Sequence, residues 1–173
     1  WLTVIIPTYN RKELFYQALK SVLEQDKVPY TWEIIVMDNS KLDKNGETPA
    51  LSIVKTLQAE NVKLYHNRQN LGSGYNWNRG VELARGEWIC FLHDDDILCQ
   101  DALRQIGRLL MSGRKSTHGL GYLSARRMEF REDGSICRSA SFGQSPQEVL
   151  TRLGVLLCGH TSAGAPTCGT TIL

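Results

Sequence analysis

The chain opens on an apolar run, TVIIP (residues 3–7), with no polar face along it. A short run of β-branched residues without alternation fits a strand buried on both faces, ended here by Pro7. The period then changes. In NRKELFYQALKSVLEQ, Leu14, Phe15, Ala18, Leu19, Val22 and Leu23 fall on one helical face, and Asn10 followed by Glu13 forms a capping-box-like start. Strand and helix are joined only by TYN.

The alternation repeats. EIIVM (33–37) predicts a second strand that runs into DNS, and a polar loop leads to a helix around PALSIVKTLQAE. VKLYH (62–66) predicts a third strand. NLGSGYNWNRGVELARG reads as a glycine-rich turn followed by a helix with Trp77, Val81 and Ala84 on one face, and EWICFL (87–92) predicts a fourth strand before the helix QDALRQIGRLLM. Beyond Gly113 the pattern changes: GLGYLSARRMEF and SICRSAS flank the turn signal EDGS, which predicts a hairpin. SPQEVLTRLGVLL predicts a helix capped by Ser145, with Pro146 in its first turn and Glu148 completing a box, and CGHTSAGAPTCGTTIL reads as loop, then strand. The whole predicts an α/β domain over residues 1–173, a mainly parallel sheet with helices on both faces and a hairpin in its C-terminal part.

Composition narrows the function classes more than it selects one. With 173 residues and 42% hydrophobic content the chain can bury one sizeable core, and a formal charge of +2 makes no case for a nucleic-acid partner. Five cysteines, Cys90, Cys99, Cys137, Cys158 and Cys168, include no CxxC pair and read as reduced thiols of a soluble cytoplasmic protein. No apolar run reaches membrane-spanning length. A start at Trp1 without Met and an end at GTTIL predict a fragment truncated at its C-terminus.

The polar clusters belong together. In an open parallel sheet every strand-to-helix loop opens on the carboxyl edge, so TYN, DNS and HDDD should share one rim. Asp94, Asp95 and Asp96 would repel one another unless a cation sits among them, and hard ions such as Mg²⁺ or Mn²⁺ take such oxygen ligands, completing their shell with water and phosphates. The cluster therefore points to a metal-bound diphosphate. The plain alternative is a solvated acidic turn before a helix.

Taken together, VIIPTYNR, EIIVMDNS and NLGSGYNWNRGVELARGEWICFLHDDDIL, in that order and spacing, resemble glycosyltransferase family two, the nucleotide-diphospho-sugar transferases of the GT-A fold. The resemblance covers about the first hundred residues. It implies a nucleotide-binding half (1–113) and the start of an acceptor-binding half (114–173). It implies that Pro7, Thr8 and Tyr9 lie beneath the base and ribose, that Asp38 reads the base, and that the segment from Gly72 to Asn78 flanks nucleotide and sugar. It makes Asp95 the main metal ligand, with Asp94 at the ribose or behind the metal and Asp96 able to share it. Two positions depart from the commonest pattern: His93 stands in place of an aspartate, and Trp77 in place of an arginine, leaving Arg79 or Arg11 to supply charge to the diphosphate. NWNR together with LHDDD is similar to bacterial surface-polysaccharide transferases.

The activity implied is inverting, metal-dependent transfer from a nucleotide-diphospho-sugar, expected to be a UDP-sugar, to a saccharide or lipid-linked acceptor, at the cytoplasmic face of a membrane and with peripheral attachment through regions not seen. The general base is expected beyond Leu173; Glu129, Glu132 and Asp133 carry no motif for it. Other readings are a sugar-nucleotide-binding module without turnover, a phosphohydrolase, which would want an aspartate after the first strand, or a nucleotidyltransferase, which would want a basic glycine-rich loop there. His66 and His118 read as ordinary loop residues, His160 as a neighbour of the acceptor, His93 as a hydrogen-bonding neighbour of the metal ligands, and Trp77 and Cys90 as packing.

Overall fold

The computed structural model describes residues 1–70, 72–112, 123–124, 127–130, 136–140 and 171–172. Its elements are β1 (Leu2–Thr8), α1 (Lys12–Leu23), β2 (Trp32–Asp38), α2 (Pro49–Thr56), β3 (Val62–His66), α3 (Ser73–Leu83), β4 (Trp88–Phe91), α4 (Ala102–Ser112), β5 (Leu123–Ser124), β6 (Arg127–Phe130), β7 (Ile136–Ala140) and β8 (Thr171–Ile172). The main sheet has the order β3-β2-β1-β4-β8-β5, and β6 and β7 form a separate antiparallel pair. Its first four strands are parallel, while β8 runs antiparallel to β4 and β5.

Order 3-2-1-4 means that the chain first builds outward from β1 to β3, then crosses back to lay β4 on the other side of β1. The loops after β1 and β4 thus lie side by side at the carboxyl ends of these two neighbouring strands, where a crevice opens. That crossing also divides the helices. Leu2, Val4 and Ile6 of β1 and Ile34 and Val36 of β2 pack against Phe15, Ala18, Leu19 and Val22 of α1, Ala50 and Ile53 of α2, and Leu103, Ile106 and Leu110 of α4. Ile5, Ile35, Met37 and Phe91 point to the opposite face, where Trp77 and Leu83 of α3 cover them. Both faces of the central strands are thus apolar, which is why they read as unbroken apolar runs.

The helix on the second face sits very close to the sheet. A Cβ on Gly80 would lie 2.8 Å from Ile5 Cγ2 and 3.1 Å from Met37 Cγ, so glycine is the residue that permits this approach. The inward line of α3 is consequently Asn76 and Gly80, whereas Trp77 is only partly buried and Val81 is exposed, a rotation from the face predicted by periodicity.

Other local expectations shift for identifiable reasons. Pro7 does not end β1: the strand continues to Thr8, paired with Asp38 in register, the missing N–H being tolerated one residue from the strand end. Asn10 does not cap α1. It takes a left-handed backbone (φ 54°), and its side-chain oxygen accepts from the Lys41 N–H at 3.1 Å, so α1 starts at Lys12 without a side-chain cap and Leu14 is exposed. α2 is capped by Thr48, whose hydroxyl accepts from the Leu51 N–H at 3.1 Å, with Pro49 at the first helical position. The EDGS turn, the helix from Ser145, His118, His160, Cys158, Cys168, Glu132 and Asp133 lie outside the described residues.

Candidate functional site

The loops after β1 and β2 are stitched together at the carboxyl edge. The Asn39 N–H donates to Thr8 O at 3.0 Å and the Asn10 N–H to Ser40 Oγ at 2.8 Å. His66, the last residue of β3, adds to this: its Nε2 lies 2.9 Å from Ser40 O, so it holds the DNS loop instead of being an ordinary loop residue.

The loop after β4 then joins the loop after β1 across more than eighty residues of sequence. The Thr8 hydroxyl donates to Asp94 Oδ2 at 2.8 Å. Arg11 Nη1 donates to Asp94 Oδ1 at 3.1 Å and to Asp95 Oδ2 at 2.7 Å, so one guanidinium nitrogen bridges two carboxylates. Asp94 is only 7% exposed. Burial pushes its carboxyl above the usual range; the Thr8 hydroxyl and the Arg11 charge pull it back, and the neighbouring Asp95 charge adds to the rise. For Arg11, burial disfavours the charge, but the two aspartates outweigh it and hold the guanidinium more firmly protonated than usual.

A chain of carboxamides builds the opposite wall. Asn76 Nδ2 donates to Met37 O at 2.8 Å, and Asn67 Nδ2 donates both to Asn76 Oδ1 and to Asn39 Oδ1 at 2.7 Å. Asn39 Nδ2 donates to Asn70 Oδ1 at 3.2 Å, and the Gly72 N–H donates to the same oxygen at 2.9 Å. These bonds fix the turn that enters α3, where Gly72 has a positive φ of 91° that a side chain would strain. Trp77 completes the wall, packing against Phe91 with ring centroids 5.6 Å apart and meeting the His93 ring edge-on at 5.0 Å.

Between the walls lies a cleft of about 290 Å³. Pro7, Thr8, Tyr9, Arg11, Gly72, Asp94 and Asp95, all singled out in the sequence, line it together with Asn39, Asn70, Ser73, Asn76, Trp77 and His93. Three expected residues do not. Asn78 is exposed on α3, its place taken by Asn76 on the inward line of the helix. Asp96 lies outside the lining, its N–H bonded to His93 O at 3.1 Å. Asp38 is fully buried at the end of β2, behind Asn39; its Oδ1 accepts from the Ser40 N–H at 2.8 Å, and its Oδ2 has no hydrogen-bond partner. Arg79 pairs with Glu82 at 2.7 Å on the outer face of α3, so of the two arginines it is Arg11 that faces the cleft.

The donor set decides which cation fits. Among the described residues no three His, Cys, Asp or Glu side chains form a metal cage. Asp94 and Asp95 nevertheless converge on one positive point, the Arg11 nitrogen, with hard oxygens only. Two carboxylates and no thiol or imidazole suit Mg²⁺ or Mn²⁺ carrying water and phosphate oxygens. Cys90 offers no alternative chemistry: wholly buried in β4, its thiol is pushed up to about 12 by desolvation.

Comparison with known proteins gives the family. Residues 3–149 match the family model described as glycosyl transferase family 2. The chain is 39% identical over 105 residues, 59% of its own length and 32% of the relative's, to the GalNAc(5)-diNAcBac-PP-undecaprenol beta-1,3-glucosyltransferase of Campylobacter jejuni. It is 34% identical over 105 residues, 61% of this chain and 28% of the other, to the succinoglycan biosynthesis protein ExoO of Rhizobium meliloti. Among solved structures, Staphylococcus aureus TarS 1–349 in complex with UDP-GlcNAc superposes with a TM-score of 0.56 at 26% identity, covering 64% of this chain and 31% of that one. The chain spans about a third of the length of the curated relatives it matches.

Proposed function

The chain belongs to glycosyl transferase family 2, and we propose that it transfers a sugar from a nucleoside-diphosphate donor, a UDP-sugar, to an acceptor hydroxyl. The observation that carries this reading is the junction of Thr8 and Arg11 with Asp94 and Asp95 at the β1–β4 crevice, one wall of a cleft whose other wall is the Gly72 turn. Residues 1–113 act as the donor-binding half and 114–173 begin the acceptor-binding half of a single domain.

Each part has a task that its chemistry suits. Asp38 Oδ2, buried behind Asn39 without a partner, is an unmet acceptor that would take a donor such as the imide N–H of uracil once the base moves the Asn39 side chain aside. Tyr9, an exposed ring at the cleft, lies against the base or ribose, and Thr8 holds Asp94 in place behind them. Asp95, with Asp94, would hold Mg²⁺ or Mn²⁺, which when bound offsets the charge of the departing diphosphate. The asparagine chain keeps the Gly72 turn rigid, so backbone groups there need no reorganisation as charge develops.

Transfer is a single inverting displacement. The acceptor oxygen bonds to the anomeric carbon as the bond to the diphosphate oxygen breaks, and the hydroxyl proton passes to a carboxylate contributed from outside the described residues. A relative named for an undecaprenol-linked substrate and another for succinoglycan biosynthesis support a saccharide or lipid-linked acceptor in surface-polysaccharide assembly. A lipid-linked acceptor would bring the chain to the inner face of a membrane as a peripheral partner; among the described residues no helix is long and apolar enough to cross one.

Titration calorimetry of UDP into the chain, with and without Mn²⁺, beside Asp95→Ala tests this. Mn²⁺ should strengthen UDP binding by about tenfold or more, and Asp95→Ala should abolish the metal effect. A folded chain that binds no nucleoside diphosphate under either condition would overturn the reading.

A further inference from the structure

The bridge made by Arg11 has an unusual form for an arginine. Bidentate pairing presents two nitrogens to one carboxylate, whereas here the single Nη1 is shared between two different carboxylates. Nη1 therefore sits where the two aspartates converge, which is also the position that suits a divalent cation. The arginine is not buried there. Its side chain is 42% exposed and that of Asp95 38%, so this arm of the bridge is solvent-screened and weakly held, while the Asp94 side chain, 10% exposed, is reached from the solvent side.

We propose that Arg11 is a displaceable counter-ion: it neutralises Asp94 and Asp95 when no metal is present, is expelled when Mg²⁺ or Mn²⁺ binds them, and then pairs with the donor diphosphate. This rests on the donor-site reading above. A divalent ion brings twice the charge and takes carboxylate oxygens at about 2.0–2.2 Å, closer than a guanidinium can approach, so it wins the position without any change of fold. The displaced group cannot travel far. Arg11 is the residue immediately before α1, its carbonyl accepting from the Phe15 N–H at 2.9 Å, and its side chain lines the same cleft. The cation freed by the metal thus remains within reach of an anion in that cleft.

The consequence is thermodynamic coupling. Metal binding releases Arg11 for the nucleotide, and nucleotide binding draws Arg11 away from the metal position, so each tightens the other, reciprocally. In the absence of nucleotide, Arg11 competes with the metal and keeps the bare site weak.

Free Mn²⁺ measured by electron paramagnetic resonance, titrated into the wild-type chain, Arg11→Gln and Arg11→Lys with and without saturating UDP, tests this directly. Without UDP, Arg11→Gln should bind Mn²⁺ about three- to tenfold more tightly than wild type, while Arg11→Lys, which keeps the charge, stays near wild type. The factor by which UDP strengthens Mn²⁺ binding should shrink by about tenfold in Arg11→Gln, with its melting temperature unchanged. If Arg11→Gln binds Mn²⁺ no more tightly than wild type, or the UDP factor is unaltered, the counter-ion role is wrong even though the donor site stands. If the folded wild type binds neither Mn²⁺ nor UDP, the donor-site reading itself fails and this inference with it.

Discussion

The two ends of the same parallel sheet treat a carboxylate in opposite ways. At the amino edge, Glu33 of β2 accepts from the Thr3 hydroxyl at 2.9 Å, from the Arg85 N–H at 2.9 Å and from Lys63 Nζ at 2.5 Å, while Thr3 Oγ1 in turn accepts from the Gly86 N–H at 2.8 Å. Burial alone would raise its carboxyl, but these donors together hold it below the usual range. At the carboxyl edge, burial wins: Asp94 is pushed up, and Asp38 keeps a buried oxygen with no donor. One end is a balanced clamp between strands; at the other the donors to Asp94 do not offset its burial, and one Asp38 oxygen has no donor at all. That imbalance is the physical mark of a site that a cation and a ligand complete.

The largest effects should separate the two ends by what they break. Glu33→Ala strands three donors and should destabilise the fold by about 1–3 kcal/mol in chemical denaturation, leaving UDP affinity of the folded fraction unchanged. Asp38→Asn should do the reverse, with stability within about 0.5 kcal/mol and UDP affinity about tenfold weaker, because the new amide presents a donor to a donor. Equal losses of stability from both substitutions would dissolve the distinction.

Much of this contrast could be read before the structure, and its limits are instructive. The α/β alternation, the parallel order and the gathering of TYN, DNS and HDDD on one rim follow from local pattern plus the geometry of parallel sheets. VKLYH matches its strand to the residue, and Thr8, Arg11, Asp94 and Asp95 do meet. The asparagine wall escaped, because Asn39, Asn67, Asn70 and Asn76 are bonded across two loops and a helix and nothing local distinguishes a wall asparagine from a solvated one. One signal was present. Gly80, four residues after Asn76, marks the side of α3 that presses on the sheet, and it would have chosen Asn76 over Asn78. The Glu33 clamp was equally hidden, since its partners Thr3, Lys63 and Arg85 come from three other segments. Arg11 was expected to supply charge to a diphosphate; its bridge between the aspartates was not legible, because it spans more than eighty residues of sequence.

Smaller effects appear in the pH dependence, with opposite signs. Glu33 has a lowered carboxyl pKa, so its contribution is present above the ordinary carboxylate value and is lost as pH falls through the lowered one. Asp94 has a raised value, so its contribution is present below the ordinary carboxylate pKa and is lost as pH rises through the raised one. Melting curves between pH 3 and 7 should therefore show Glu33→Gln losing less stability than wild type on acidification. Asp94→Asn should lose less than wild type as pH rises from about 4. Each difference should stay below about 1 kcal/mol, the scale of partly screened pairs.

The most direct test of the central claim, that the carboxyl edge at the β1–β4 crossing is the donor site, is a titration of the ¹⁵N-labelled chain with UDP and Mg²⁺, followed by amide chemical shifts. The account predicts shifts at Tyr9, Arg11, Asn39, Gly72, Asp94 and Asp95, with Glu33, Lys63 and Arg85 at the opposite edge unmoved. Saturable shifts centred on the Glu33 edge or on the outer face of α2 and α4, with the crevice amides still, would contradict it.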